Sequence, residues 1–383
     1  MSAVTLGNKA DLAHPSLRNA TGSLPRLDAL TGIRGIAAWL VVLYHIRLSL
    51  VELFPKAAID VFAKGYLAVD LFFVLSGFVL WCNYAERFNR GGLAETARFM
   101  RRRLARIWPL HAFILGVFVL LVWSVWLSGG SISRYPLDEL PLNILLIHNW
   151  GFTSRLSWNH PSWSISTEFA AYCLFPFIAV AVRWDRLPIA VLVAMAVALM
   201  TALAWLFTAK GAVTLGEDIP QLGVWRCLAE FCLGAIACMV WTRWRGAPYR
   251  ALWAGLCCVS VTAAGLLLSW PETWFVPAAF FTGILALSLD RGALSGALGV
   301  RPAVYLGEIS YSTYLAHFLL FIAFKMAFVD ETLQLSWLSL AGFLALLLAV
   351  SIALYHGVEK PAQRWLNRSR PFRANAGTIA PAE

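Results

Sequence analysis

Apolar runs of about twenty residues recur along nearly the whole chain, and that repetition leaves few folds open. They begin near residues 35, 66, 107, 163, 187, 222, 251, 273, 303 and 336. A helix of roughly 20 apolar residues is what it takes to cross a ~30 Å hydrocarbon core. Composition agrees, since 60% of the 383 residues are hydrophobic and only 14% are charged, against about a quarter charged in soluble proteins. The chain is therefore expected to be all-α, a polytopic membrane protein of about ten transmembrane helices.

The distribution of charge orients it. With the N-terminus inside, the inner segments 1–33, 85–106, 183–186, 243–250, 290–302 and 358–383 hold 22 Lys and Arg residues. The outer segments hold five, Lys56, Lys64, Arg134, Arg155 and Lys210. Such a bias predicts an N-in, C-in topology and an even number of spans. The net charge of +10 is thus a topology signal, and no nucleic-acid partner is expected. Seven cysteines lie in or beside the apolar runs without metal-type spacing, and read as small apolar residues rather than a disulfide framework. The first 25 residues lack the compact apolar region of a signal peptide. Residues 1–26 and 367–383 read as disordered cytoplasmic tails flanking one membrane domain, 27–366.

Several ionisable residues interrupt the apolar runs, where they lean towards function. Arg34 and His45 stand eleven residues apart on the first run, close to three helical turns, so they share a face about 16 Å apart along the axis. The plainer reading makes Arg34 a topology anchor and His45 a contact between helices. Asp70 enters the second run beside Ser76-Gly77 and needs a partner, with Arg47 or His45 as candidates. The basic stretch "RRRLARIWP" puts Arg103 and Arg106 on one helix face, suited to anionic lipid or to a phosphate ligand. Within the outer excursion 129–162, "LNILLIHNW" is too short to span and reads as re-entrant or interfacial. Beyond it, "WNHPSWSISTEFAAY" carries His160, Trp163, Ser164, Glu168 and Tyr172, where aromatic faces beside polar groups suit a sugar ring or a simple interfacial belt. Ser310, Tyr314 and His317 form a polar stripe at i, i+4, i+7 in the ninth run. Arg226 and Glu230, at i and i+4, read as a self-satisfying ion pair.

Taken in order, these segments resemble the integral-membrane acyltransferase 3 family. "LDALTGIRGIAAWLVVLYH" is similar to that family's opening signature, an arginine and a histidine separated by ten residues. "GYLAVDLFFVLSGFVL", "RRRLARIWPL", "PSWSISTEFAAYCLFP", "LGEISYSTYLAHF" and "VEKPAQRWL" resemble its later motifs, in the family's order, out to about residue 366. Phe169 stands where many members have a second acidic residue. No extracellular esterase-like domain follows the tenth run, so any partner activity is expected to come from elsewhere or to be unnecessary.

The resemblance implies an O-acyltransferase in a bacterial cytoplasmic (inner) membrane. Acyl-CoA, with acetyl-CoA the expected form, would be a co-substrate from the cytoplasm, with no bound cofactor and no metal. The acceptor would be a hydroxyl of a glycan, glycolipid or glycosylated small molecule, near Trp163 and His160 on the outer side. Arg34, Arg103 and Arg106 would hold the donor's phosphates, and His45 would act as general base, oriented by Asp70 or Glu168. A transient acyl-histidine is the competing route. An exporter of a glycan or lipid intermediate, or an acyl-CoA sensor, are the rival readings. Oligomeric state is left open.

Overall fold

The computed structural model describes residues 27–247, 249–329 and 332–368. The expected terminal tails therefore lie, but for residues 367 and 368, outside the described residues. Every regular element among the described residues is helical. In chain order these are α1 (Asp28–Ile46), α2 (Lys56–Ala63), α3 (Ala68–Gly91), α4 (Thr96–Leu127), α5 (Leu140–Ile144), α6 (Trp163–Ala181) and α7 (Ile189–Ala209). There follow α8 (Ile219–Trp244), α9 (Arg250–Leu267), α10 (Glu272–Leu289), α11 (Ala293–Leu298), α12 (Arg301–Phe328), α13 (Trp337–Leu354) and α14 (Lys360–Arg368). Short 3-10 turns join several of them, and a π-helical turn at Tyr355–Glu359 leads into α14. Nine segments of the described residues are long and apolar enough to cross a membrane. One of the nine, Lys56–Leu127, contains both α3 and α4.

In lipid, helices gain little from burying apolar surface against each other, so small residues that admit close backbone approach set the crossings. Two such crossings organise the bundle. On α1 and α12, a Cβ on Gly307 would stand 1.8 Å from the Thr31 carbonyl oxygen, and one on Gly35 would stand 2.7 Å from the Gly307 nitrogen. On α3 and α8, a Cβ on Gly77 would meet the Phe231 carbonyl oxygen at 1.8 Å, and one on Gly234 the Val74 oxygen at 1.8 Å. The second crossing also corrects the reading of the cysteines. It brings the Cα atoms of Cys82 and Cys238 to 6.3 Å, and the two are joined as a disulfide. Sequence spacing gave no sign of this, because the pair spans 156 residues and two helices.

Lipid accounts for the outer surface. Trp205 on α7, Leu267 on α9 and Leu338 on α13 are large apolar side chains that stand exposed. The segment "LNILLIHNW" forms only the short helix α5 before turning into the protein, where Asn143, Leu146, His148 and Asn149 are buried. Around these four residues the irregular backbone is covered by the bundle, as such backbone must be at membrane depth, while Ile144 and Leu145 stand exposed. The buried His148 Nε2 lies within hydrogen-bond reach of Ser162 Oγ at 3.2 Å.

Replacing Gly307 with leucine should lower the stability of the detergent-solubilised protein by at least about 2 kcal/mol, since overpacking against backbone cannot be relieved by a rotamer change. A thermal melt monitored by size exclusion would show it. An unchanged midpoint would mean that α1 and α12 are free to separate.

Candidate active site

The α1–α12 crossing places the first of the polar groups. Gly307 has no side chain to cover its carbonyl, and Arg34 donates to that oxygen from Nε at 3.2 Å and Nη2 at 2.8 Å. Ser310 donates to the same oxygen at 2.8 Å. Arg34 is thereby held facing a cavity of about 160 Å³ between α1, α3, α4, α6 and α12, lined also by Arg103, Arg106, Glu168, Tyr172 and Tyr314. A second chamber of about 290 Å³ shares Arg34, Leu75 and Val79 with it and runs to Leu27 and Asn83, at the opposite end of α1 from His45.

The basic residues of the cavity differ in what they have left to offer. α4 continues unbroken from Thr96 through Pro109, so its arginines and its membrane segment share one helix. Arg106 forms an ion pair with the buried Glu359, whose other oxygen accepts a 2.8 Å hydrogen bond from Ser312. Arg103 donates to Tyr84 Oη at 3.0 Å, while its buried Nε–H has no partner among the described residues. Glu168 accepts from Ser76 Oγ and, at 2.6 Å, from Tyr172 Oη.

His45 lies beyond the cavity's far wall. That wall is Phe72 against Tyr314, with ring centroids 5.9 Å apart. Behind it the His317 ring lies 5.9 Å from that of Tyr314 and 4.8 Å from that of His45. His45 Nδ1 lies 2.9 Å from the Val41 carbonyl oxygen and 3.2 Å from His317 Nε2. On the outer side, Phe318 is 5.8 Å from His45 and carries the exposed His160 ring stacked on it at 4.9 Å. The half-buried His45 is thus approached by a chamber from one side and by His160 from the other.

Several expected partnerships are corrected. Asp70 meets neither Arg47 nor His45, but takes two hydrogen bonds of 2.5 Å from the Nε and Nη2 of buried Arg226. Arg226 is accordingly not paired with Glu230 along its own helix. Its geometry favours Asp70 because α3 lies against α8 at the glycine crossing, and a guanidinium fork suits a facing carboxylate. With Asp70 committed to Arg226 and Glu168 to Ser76 and Tyr172, the partners of His45 Nδ1 among the described residues are Val41 and His317. Trp163 is buried, and the Arg226 guanidinium stands 5.4 Å above its ring, so that face is not presented to an outer ligand. Of the two residues expected on the acceptor side, His160 alone is exposed. The stripe Ser310, Tyr314 and His317 does line up on α12, joined through Tyr314 to Ser164 Oγ at 2.7 Å and the Pro161 carbonyl at 3.0 Å. Glu359 was not singled out from the sequence, although it opens the closing "EKP" motif.

Comparison with known proteins bears on this arrangement. A model of the acyltransferase domain matches residues 27–356. The acyltransferase MdmB of Streptomyces mycarofaciens is 31% identical over 389 residues, which covers 90% of this chain and 94% of MdmB. The O-acetyltransferase OatA of Staphylococcus aureus is 20% identical over 76% of this chain and 50% of its own length. No solved structure matches. Fold and relatives together define a multi-pass membrane O-acyltransferase. The chain belongs to the acyltransferase 3 family. Membership in an enzyme family weighs against the exporter reading.

The Asp70–Arg226 pair has its own expected outcome. Changing Asp70 to asparagine leaves a buried guanidinium uncompensated and should cost about 3–5 kcal/mol of stability. Adding Arg226→Gln should recover part of that loss, which a double-mutant cycle in thermal denaturation would measure.

Proposed function

We propose that the protein moves an acyl group, acetyl in the first instance, from cytosolic acyl-CoA to a hydroxyl of a glycan, glycolipid or glycosylated small molecule. The observation that carries this reading is the placement of cation-lined chambers and an imidazole pair at opposite ends of one helix face. Arg34 and His45 stand about 16 Å apart along α1, a length of the same order as a pantetheine arm. Donor phosphates would take their charge-assisted hydrogen bonds from Arg34 and Arg103, whose Nε–H has no acceptor among the described residues. Arg106 would add field more than a free fork, because Glu359 already holds it. The thioester would pass the Phe72–Tyr314 wall to reach His45.

There His45 would take the proton of the acceptor hydroxyl while the oxygen attacks the thioester carbonyl, a role typically worth 10²–10⁴-fold in rate. The name of OatA, an O-acetyltransferase, supports acetyl as the transferred group. The bacterial sources of these relatives support a bacterial cytoplasmic membrane, with the lipid bilayer, acyl-CoA and the hydroxyl acceptor as partners.

The test is transfer of label from acetyl-CoA in membrane vesicles, with the product identified by mass spectrometry. His45→Ala should lower transfer by on the order of 100-fold or more while the purified variant still elutes as a folded species. Wild-type rates in that variant would sink the mechanism. Arg34→Lys should raise the apparent KM for acetyl-CoA several-fold and leave that for the acceptor unchanged, because an ammonium cannot reproduce the fork. An unaltered donor KM would remove Arg34 from phosphate binding.

A further inference from the structure

The two histidines at the bundle's interior meet in a geometry that dictates where their protons sit. A backbone carbonyl can only accept, so a ring nitrogen facing one carries the hydrogen. His317 Nδ1 lies 2.6 Å from the Tyr314 carbonyl oxygen and so holds the proton of that ring. In the neutral ring, His317 Nε2 is then a bare lone pair. It lies 3.2 Å from His45 Nδ1, which also faces the Val41 carbonyl at 2.9 Å. Both neighbours of His45 Nδ1 are acceptors. One state satisfies them, with Nδ1 protonated and its hydrogen shared between Val41 and His317. His45 Nε2 is left as the lone pair.

We infer that His317 is the positioning residue of the site, a buried neutral acceptor that together with the Val41 carbonyl keeps His45 in its Nδ1–H tautomer and leaves Nε2 free to act as the base. This rests on the reading of His45 given above and adds the atom that does the work. As Nε2 takes the hydroxyl proton, the oxygen lone pair forms the new C–O bond to the thioester carbonyl. The C–S bond then breaks, and the Nε2 proton passes to the departing thiolate, which leaves as the free thiol. Between those transfers the imidazolium is stabilised by the Nδ1–H···Nε2 bond to His317, and no proton leaves the pair.

In base-activated sites an orienting carboxylate commonly fills this place. Here the two carboxylates that might do so are held by Arg226 and by Ser76 and Tyr172. His317 is itself fixed, being wholly buried, with its own acceptor Tyr314 tied through its hydroxyl to Ser164 and Pro161.

Two measurements on the full-length chain test the assignment. In 15N spectra of histidine-labelled protein in lipid, with the His45 signals assigned by their loss in His45→Ala, Nδ1 should be protonated and Nε2 bare. Protonation at Nε2 would overturn the inference whatever the activity. In vesicles supplied with labelled acetyl-CoA, His317→Leu should lose on the order of 100-fold in kcat with the donor KM unchanged. His317→Gln, whose side-chain oxygen can accept near the position of Nε2, should stay within about tenfold of wild type. Equal losses in the two variants, or wild-type kcat in His317→Leu, would overturn it. A fully active His45→Ala would instead defeat the reading of His45 as base, and the 15N result separates that failure from an error in the tautomer.

Discussion

The polar groups along the α1 face depend on how closely α1 can lie on α12. Gly35 and Gly307 remove the side chains that would hold the two backbones apart. Because they are missing, the Gly307 carbonyl is open to the Arg34 guanidinium, and three helical turns further on His45 falls against His317. A wider crossing would leave both basic groups facing hydrocarbon. The packing rule for helices in lipid, small residues at the contact, is here also the rule that assembles the chemistry.

Two other buried carboxylates take arginine partners from distant elements. Asp70 and Arg226 neutralise each other inside the α3–α8 contact, and Arg106 and Glu359 do so between α4 and the turn before α14. A buried pair of this kind is weak grounds for a stability claim but costly to break. What it achieves here is selection. Among the groups on the α1 face or opening onto its chambers, those with capacity left over once these pairs are formed include Arg34, the Nε–H of Arg103, and the His45–His317 pair.

The class of fold was legible in the sequence because apolar length and charge sidedness are one-dimensional properties. So was the shared face of Arg34 and His45, since helical geometry alone relates positions on one helix. Partnerships between helices were not. Arg226 looked satisfied by Glu230 four residues away, and the structure gives it Asp70 from another helix. Cys82 and Cys238 gave no spacing signal, and Glu359 lay in a motif without an evident role. Trp163 read as an interfacial ring, but it lies buried beneath an arginine. Each miss is a choice between a local partner and a distant one, which the glycine crossings decide and which periodicity does not contain.

The Phe72–Tyr314 wall has a further consequence. On the proposed reading, a thioester reaching past this wall and an acceptor coming from the His160 side would meet at His45, instead of sharing an open channel. Only the small acyl unit would need to change compartments, while the bulky carrier and the sugar stay on their own sides. Under the proposed function, such an arrangement would modify an outer acceptor from an internal pool without an open passage between the two.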